Sequence, residues 1–162
     1  MEQVKNSLPN DKQQLMDRGG YEVHNRDVTR KVFPRIYREY KELYAGKKMP
    51  QCRDLSVLYF YLLDYVDGRE FHADGLTPND RFGASYPSKQ QITEDTGITE
   101  KRIKPLTEVL RTNGLITDIQ DVWEGTNRYK RYYLSFCPQV SEDGFLVNAD
   151  GEKIMPDTKL YK

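Results

Sequence analysis

The segment Tyr86-Pro87-Ser88-Lys89-Gln90-Gln91-Ile92-Thr93-Glu94-Asp95-Thr96-Gly97-Ile98-Thr99 decides how this chain folds, together with the basic stretch Glu100 to Asn113, Gly114 and an aromatic run to Phe136. Ser88 stands three residues before Gln91. At that spacing each side chain can satisfy a free N–H of a first helical turn. Pro87 favours an extended approach to it. The short helix carries Ile92 inward and stops at Thr96-Gly97, where glycine takes the left-handed conformation of a sharp turn. Ile98 plugs that turn into the core, and Thr99 caps the next helix.

In the second helix Ile103, Leu106 and Leu110 recur at spacings of three and four, with Val109 flanking, and form one apolar stripe. At about 100° per residue, Lys101, Lys104, Glu108 and Thr112 fall roughly opposite, and Arg102 borders the stripe. Pro105 lies inside this helix, where proline removes a hydrogen bond at a cost of about 3 kcal/mol. Either the helix kinks there, or Thr99 to Lys104 is a separate turn and the helix proper begins at Pro105. Gly114 ends it and Leu115-Ile116 opens a strand.

Strand-like runs Leu115 to Trp123 and Arg128 to Phe136 flank Glu124-Gly125-Thr126-Asn127, which reads as a hairpin tip. Tyr132, Leu134 and Phe136 alternate toward the interior. The expected fold class is therefore α+β and mostly helical: a winged helix-turn-helix with an N-terminal helical extension and a C-terminal hairpin. The N-terminal part of such a second helix is the part that reaches base edges in the major groove. The candidate recognition segment is Ser88, Lys89, Thr99, Glu100, Lys101, Arg102 and Lys104. The candidate wing is Thr126, Asn127, Arg128, Lys130 and Arg131, whose cations can lie on a phosphate backbone.

Several features resemble the winged-helix domains of plasmid and phage replication proteins. They are the aromatic-aliphatic helix Leu55 to Val66, Pro87-Ser88, Ile92, Thr96-Gly97-Ile98-Thr99, Asn113-Gly114-Leu115-Ile116 and Thr126-Asn127-Arg128-Tyr129. The pattern is similar to the N-terminal domain of RepA-type plasmid replication initiators and to phage replisome-organiser domains. It covers roughly Pro34 to Phe136. The resemblance implies double-stranded DNA as partner, with a homodimer and replication proteins as further candidates. Many transcription regulators share these motifs, so they specify fold better than role.

Outside this region, residues 1–30 read as a mobile polar arm with a helical turn near Lys12 to Met16. A helix follows over Val32 to Tyr44. Phe33, Ile36, Tyr37, Tyr40, Leu43 and Tyr44 share one face, opposite Arg35, Arg38, Glu39, Lys41 and Glu42. The aromatic face is either core or a dimer surface. Asp54 caps a central helix running through Leu55, Leu58, Leu62 and Val66 to Gly68. An extended loop follows, and Ala84 to Tyr86 make a short strand. The winged domain spans 31–136. Residues 137–162 form an extension in which Phe145-Leu146-Val147 and Lys153-Ile154-Met155 flank Asn148-Ala149-Asp150-Gly151 as a small hairpin.

The 162 residues carry 25 basic and 25 acidic side chains, so the formal net charge is zero. A dedicated nucleic-acid binder often has a basic excess, but local patches suffice. Lys101, Arg102 and Lys104 form one without an intervening acid, and Arg128, Lys130 and Arg131 form another. Two cysteines, Cys52 and Cys137, have no metal-ligand spacing, and a reduced cytoplasmic setting is expected. No metal and no cofactor is expected. No apolar run approaches the ~20 residues of a membrane span, and there is no signal-peptide pattern. There is no phosphate-binding loop of the G-x-x-x-x-G-K type. The only histidines, His24 and His72, lie in polar stretches. No enzyme is expected. The alternative to a DNA binder is a protein-interaction adaptor on the same fold.

Overall fold

The computed structural model describes residues 10–162, which form an α+β arrangement of five α-helices and small antiparallel sheets. In chain order, α1 is Asn10–Arg18, α2 Phe33–Leu43, α3 Asp54–Asp64, α4 Lys89–Thr96 and α5 Glu100–Thr112. The strands are β1 Ile116–Glu124, β2 Asn127–Leu134, β3 Gln139–Val140 and β4 Leu146–Val147. The helical turn expected near Lys12 to Met16 is the middle of α1. The first nine residues of the expected arm lie outside the described residues. The arm is also shorter than 1–30, because a π-helical turn, Val28–Val32, leads into α2 with Val28 and Val32 fully buried.

α3, α4 and α5 pack around one core that includes Leu55, Leu58, Leu62, Ile92, Ile98, Ile103, Leu106 and Leu110, closed by Ile116 and Leu134. Apart from Ile98, which fills the turn between α4 and α5, these residues are the periodic apolar positions of three helices and a hairpin. Ser88 Oγ accepts from the Gln91 N–H at 3.0 Å and caps α4. Gly97 ends α4 at φ 76°, a conformation that costs glycine little. α5 runs unbroken through Pro105, so Glu100 to Lys104, capped by Thr99, is its first part and not a separate turn. Thr99 holds the N-cap position without a side-chain cap bond.

β1 and β2 form the expected hairpin around Gly125-Thr126, with a register shift between Ile116 and Asp118. Ser85 and Tyr132 exchange both backbone hydrogen bonds, at 2.9 and 2.7 Å, and Ser85 also bridges Val66. The short strand expected at Ala84 to Tyr86 is thus a single bridging residue between α3's exit and β2.

Five expectations need correction. α3 stops at Asp64, and Val66 bridges the sheet instead of continuing the helix. Asp54 is the first helical residue and not the cap, a position held by Arg53, and its carboxylate pairs with Arg102. Phe136 lies past the end of β2 and is exposed, as is Leu43 at the end of α2. Arg35, expected on the polar face of α2, is buried.

The C-terminal extension explains that burial. Arg35 donates from Nε to the Gly144 carbonyl at 3.0 Å and from Nη2 to Asn113 Oδ1 at 2.8 Å, pairs with Glu39, and lies 4.2 Å from the centre of the Phe145 ring. Tyr161 stacks on Tyr40 at 4.6 Å and donates to Glu39. Gly144 has φ 91°, and a Cβ there would come within 2.3 Å of the Lys31 carbonyl oxygen, so backbone meets backbone. The aromatic face of α2 is thereby core, with Phe33, Ile36 and Tyr40 buried against α3 and the extension. The small hairpin expected there forms through Val147 and Lys153, and β4 also pairs with β3, a partner the pattern had not marked.

Candidate functional site

The hairpin sorts its side chains onto two faces. Successive strand residues point to opposite sides, so each cross-strand pair shares one face. Ile119–Tyr132, Asp121–Lys130 and Trp123–Arg128 form one set of pairs. Gln120–Arg131, Val122–Tyr129 and Glu124–Asn127 form the other. The first set faces α5 and the start of α4, and the second faces the loop between α3 and α4.

On the loop side the charges are spoken for. Arg131 is only 6% exposed; it donates to Asp80 Oδ2 at 3.0 Å, to the Asp80 carbonyl at 3.1 Å and to Tyr129 Oη at 2.7 Å. Arg81 donates from Nη2 to both oxygens of Glu124, at 2.6 and 2.8 Å, and lies over the rings of Tyr86 and Tyr129. These guanidinium groups hold the Asp80 and Glu124 carboxyls below the usual carboxylate range. Arg131 therefore fastens the hairpin to the loop.

On the α5 side a continuous groove runs between helix and hairpin. Lys89, Lys104, Arg111, Arg128 and Lys130 line it, opposed by two carboxylates, Glu108 and Asp121. Ile119 and Tyr132 form part of its floor. Asp121 pairs with Arg128 at 3.1 Å and with Lys130 at 3.5 Å, and the hydrogen bond from Arg128 is the main reason its carboxyl sits below the ordinary value. Among the described residues Lys89, Lys101 and Lys104 have no ion-pair partner. Arg111 also pairs with Asp118 at 3.8 Å, so Lys89 and Lys104 are the groove cations without a partner among the described residues, and a groove with this cationic excess suits an extended polyanion. Exposed ion pairs such as Asp121–Arg128 contribute little, so an incoming anion can displace the carboxylate cheaply.

The candidate residues now separate. Ser88 and Lys89 lie at the groove's α4 end, Lys104 on its wall, and Arg128 and Lys130 on the hairpin side. Thr99, Glu100 and Lys101 are exposed at the start of α5, and Thr126 and Asn127 at the hairpin tip. Two are elsewhere. Arg102 lies about 200° around the helix from Lys104. It pairs with Asp54 and donates to the Gln51 carbonyl at 3.0 Å, tying α5 to α3. Arg131 is on the hairpin's far face.

Sequence reasoning missed Arg111 and Asp121. Arg111 follows Lys104 by seven residues, so helical spacing alone would have placed it on the same face. Asp121 follows from cross-strand register with Lys130. Among the described residues no group of three His, Cys, Asp or Glu side chains could hold a metal ion, and no helix is long and apolar enough to cross a membrane. Cys52 is buried, Cys137 exposed, and both are free thiols. No protein-family model, curated protein or solved structure matches the chain at a significant level.

Proposed function

We propose that this chain is a winged-helix protein that binds double-stranded DNA sequence-specifically, as a cytoplasmic replication initiator or transcription regulator of a plasmid, phage or other mobile element. The order helix α3, bridging residue Ser85, helix α4, helix α5 and hairpin β1–β2 supports the winged-helix assignment. The observation that carries the DNA reading is the cationic groove between α5 and the hairpin.

In this reading the start of α5 enters the major groove, where helix N-terminal residues meet base edges. Lys101 and Lys104 read bases, with Thr99 and Glu100 beside them. Ser88, Lys89, Arg128 and Lys130 hold phosphates and set register, while Thr126 and Asn127 touch the backbone at the tip. Arg102 and Arg131 position the helix and the hairpin and do not contact DNA.

A second reading, a protein-interaction adaptor for replication or conjugation, draws on the exposed Phe71, Leu76 and Phe82 of the loop after α3. Titration of plasmid-derived and random duplexes at two salt concentrations separates the two. DNA binding through phosphates weakens steeply with salt. An adaptor that uses its apolar loop shows no duplex binding.

A further inference from the structure

We infer that Trp123, with Arg128 beside it, is a stacking finger that packs against a nucleobase of the bound duplex; this rests on the DNA reading above. Trp123 is the chain's one tryptophan and is 64% exposed. It lies one residue from the end of β1 and pairs across the hairpin with Arg128, whose guanidinium carbon lies 5.9 Å from the indole centre. A large apolar ring left in water next to a cation contributes nothing to the fold's core. It offers what a base accepts: a flat π-face and a neighbouring positive charge.

Placement adds a second argument. Trp123 shares the groove face with Asp121, Lys130 and Arg128 and points away from the loop that holds Arg131. Two residues separate the Asp121–Lys130 pair from the Trp123–Arg128 pair, or about 7 Å along the strands. The minor groove is about 6 Å wide. A hairpin with Lys130 on a phosphate thus sets Trp123 over the neighbouring groove. There an apolar side chain can wedge against a base step.

The indole supplies its own reporter. The full chain is titrated with a fluorescein-labelled mixed-sequence 20-mer duplex, following anisotropy of the duplex and emission of the tryptophan in parallel. Stacking is expected to quench the emission by about half or more and to shield the indole from acrylamide. Trp123→Ala is expected to bind about 5-fold more weakly, the low end for one aromatic–base stack because unstacking the duplex step offsets part of the gain, and Trp123→Phe to recover most of the loss. The salt slope stays unchanged in Trp123→Ala, because no phosphate contact is removed, whereas Lys130→Ala flattens it. Circular dichroism checks that all three variants fold. The inference is overturned, with the DNA reading intact, if the duplex binds with the expected salt slope while the indole stays acrylamide-accessible and Trp123→Ala binds within about twofold of wild type. Absence of duplex binding by the wild-type chain overturns both.

Discussion

Replacing Arg131 and Lys130 by alanine, one at a time, should have opposite consequences although the residues are adjacent. Arg131 is buried and makes hydrogen bonds to the side chain and carbonyl of Asp80 and to Tyr129 Oη. The Asp80 side chain is 71% exposed, so its carboxylate is well screened and adds little by charge alone. What Arg131→Ala removes is hydrogen bonding from a charged donor, at about 1.5–3 kcal/mol. For a chain of this size each kcal/mol shifts the melting midpoint by about 2–4 °C, so a fall of about 3–12 °C is expected. Its slope of log Kd against log salt should match wild type. Lys130 is a surface residue paired with exposed Asp121. Lys130→Ala should change stability by less than about 1 kcal/mol and flatten the salt slope by about 0.9, one phosphate contact. Thermal melts followed by circular dichroism give the first quantity, and fluorescence anisotropy on a random duplex at four salt concentrations gives the second. An Arg131→Ala variant with wild-type melting and a flattened slope would refute the assignment of the two faces.

Leu106 is 1% exposed in the core of α5, so Leu106→Ala should cost about 2–5 kcal/mol in urea unfolding; wild-type stability would remove it from the core. Asp121→Asn takes a negative charge out of the groove and frees Arg128 and Lys130, and at separations near 6 Å in screened water it should tighten duplex binding about 2- to 5-fold; weaker binding would mean that Asp121 itself accepts a contact from DNA. Lys101→Ala and Lys104→Ala should each lose about 1–3 kcal/mol on the cognate site and much less on a scrambled duplex. Arg102→Ala should instead lower stability through the Asp54 contact and affect both duplexes alike; a loss confined to the cognate site would return Arg102 to the base-reading set.

The central elements were legible because local rules governed them. Ser88, Gly97 and the tip at Gly125-Thr126 act through neighbours a few residues away, and Ile103, Leu106 and Leu110 through helical period. What sequence patterns hid are contacts between residues distant in the chain. Arg35 looks like a solvated helix position until Gly144, 109 residues later, and Asn113, 78 residues later, supply its acceptors. Arg102 looks like a base reader until Gln51 and Asp54 claim it. In the candidate site the partition of Arg128 and Lys130 from Arg131 was available from strand alternation. Treating the three as one basic run concealed it, since charge counting ignores direction.

The central claim is that the groove between α5 and the hairpin holds a DNA phosphate backbone, and the most direct measurement is the affinity of the intact chain for duplex DNA at 50 and 200 mM salt. If Lys89, Arg128 and Lys130 each neutralise one phosphate, the slope is about −2.7 and affinity falls about 40-fold across that interval. The same slope should appear on random and plasmid-derived duplexes, with tighter binding on a plasmid-derived duplex that carries the cognate site. Absence of duplex binding at 50 mM salt, or an affinity that changes less than about twofold between the two concentrations, would contradict the account.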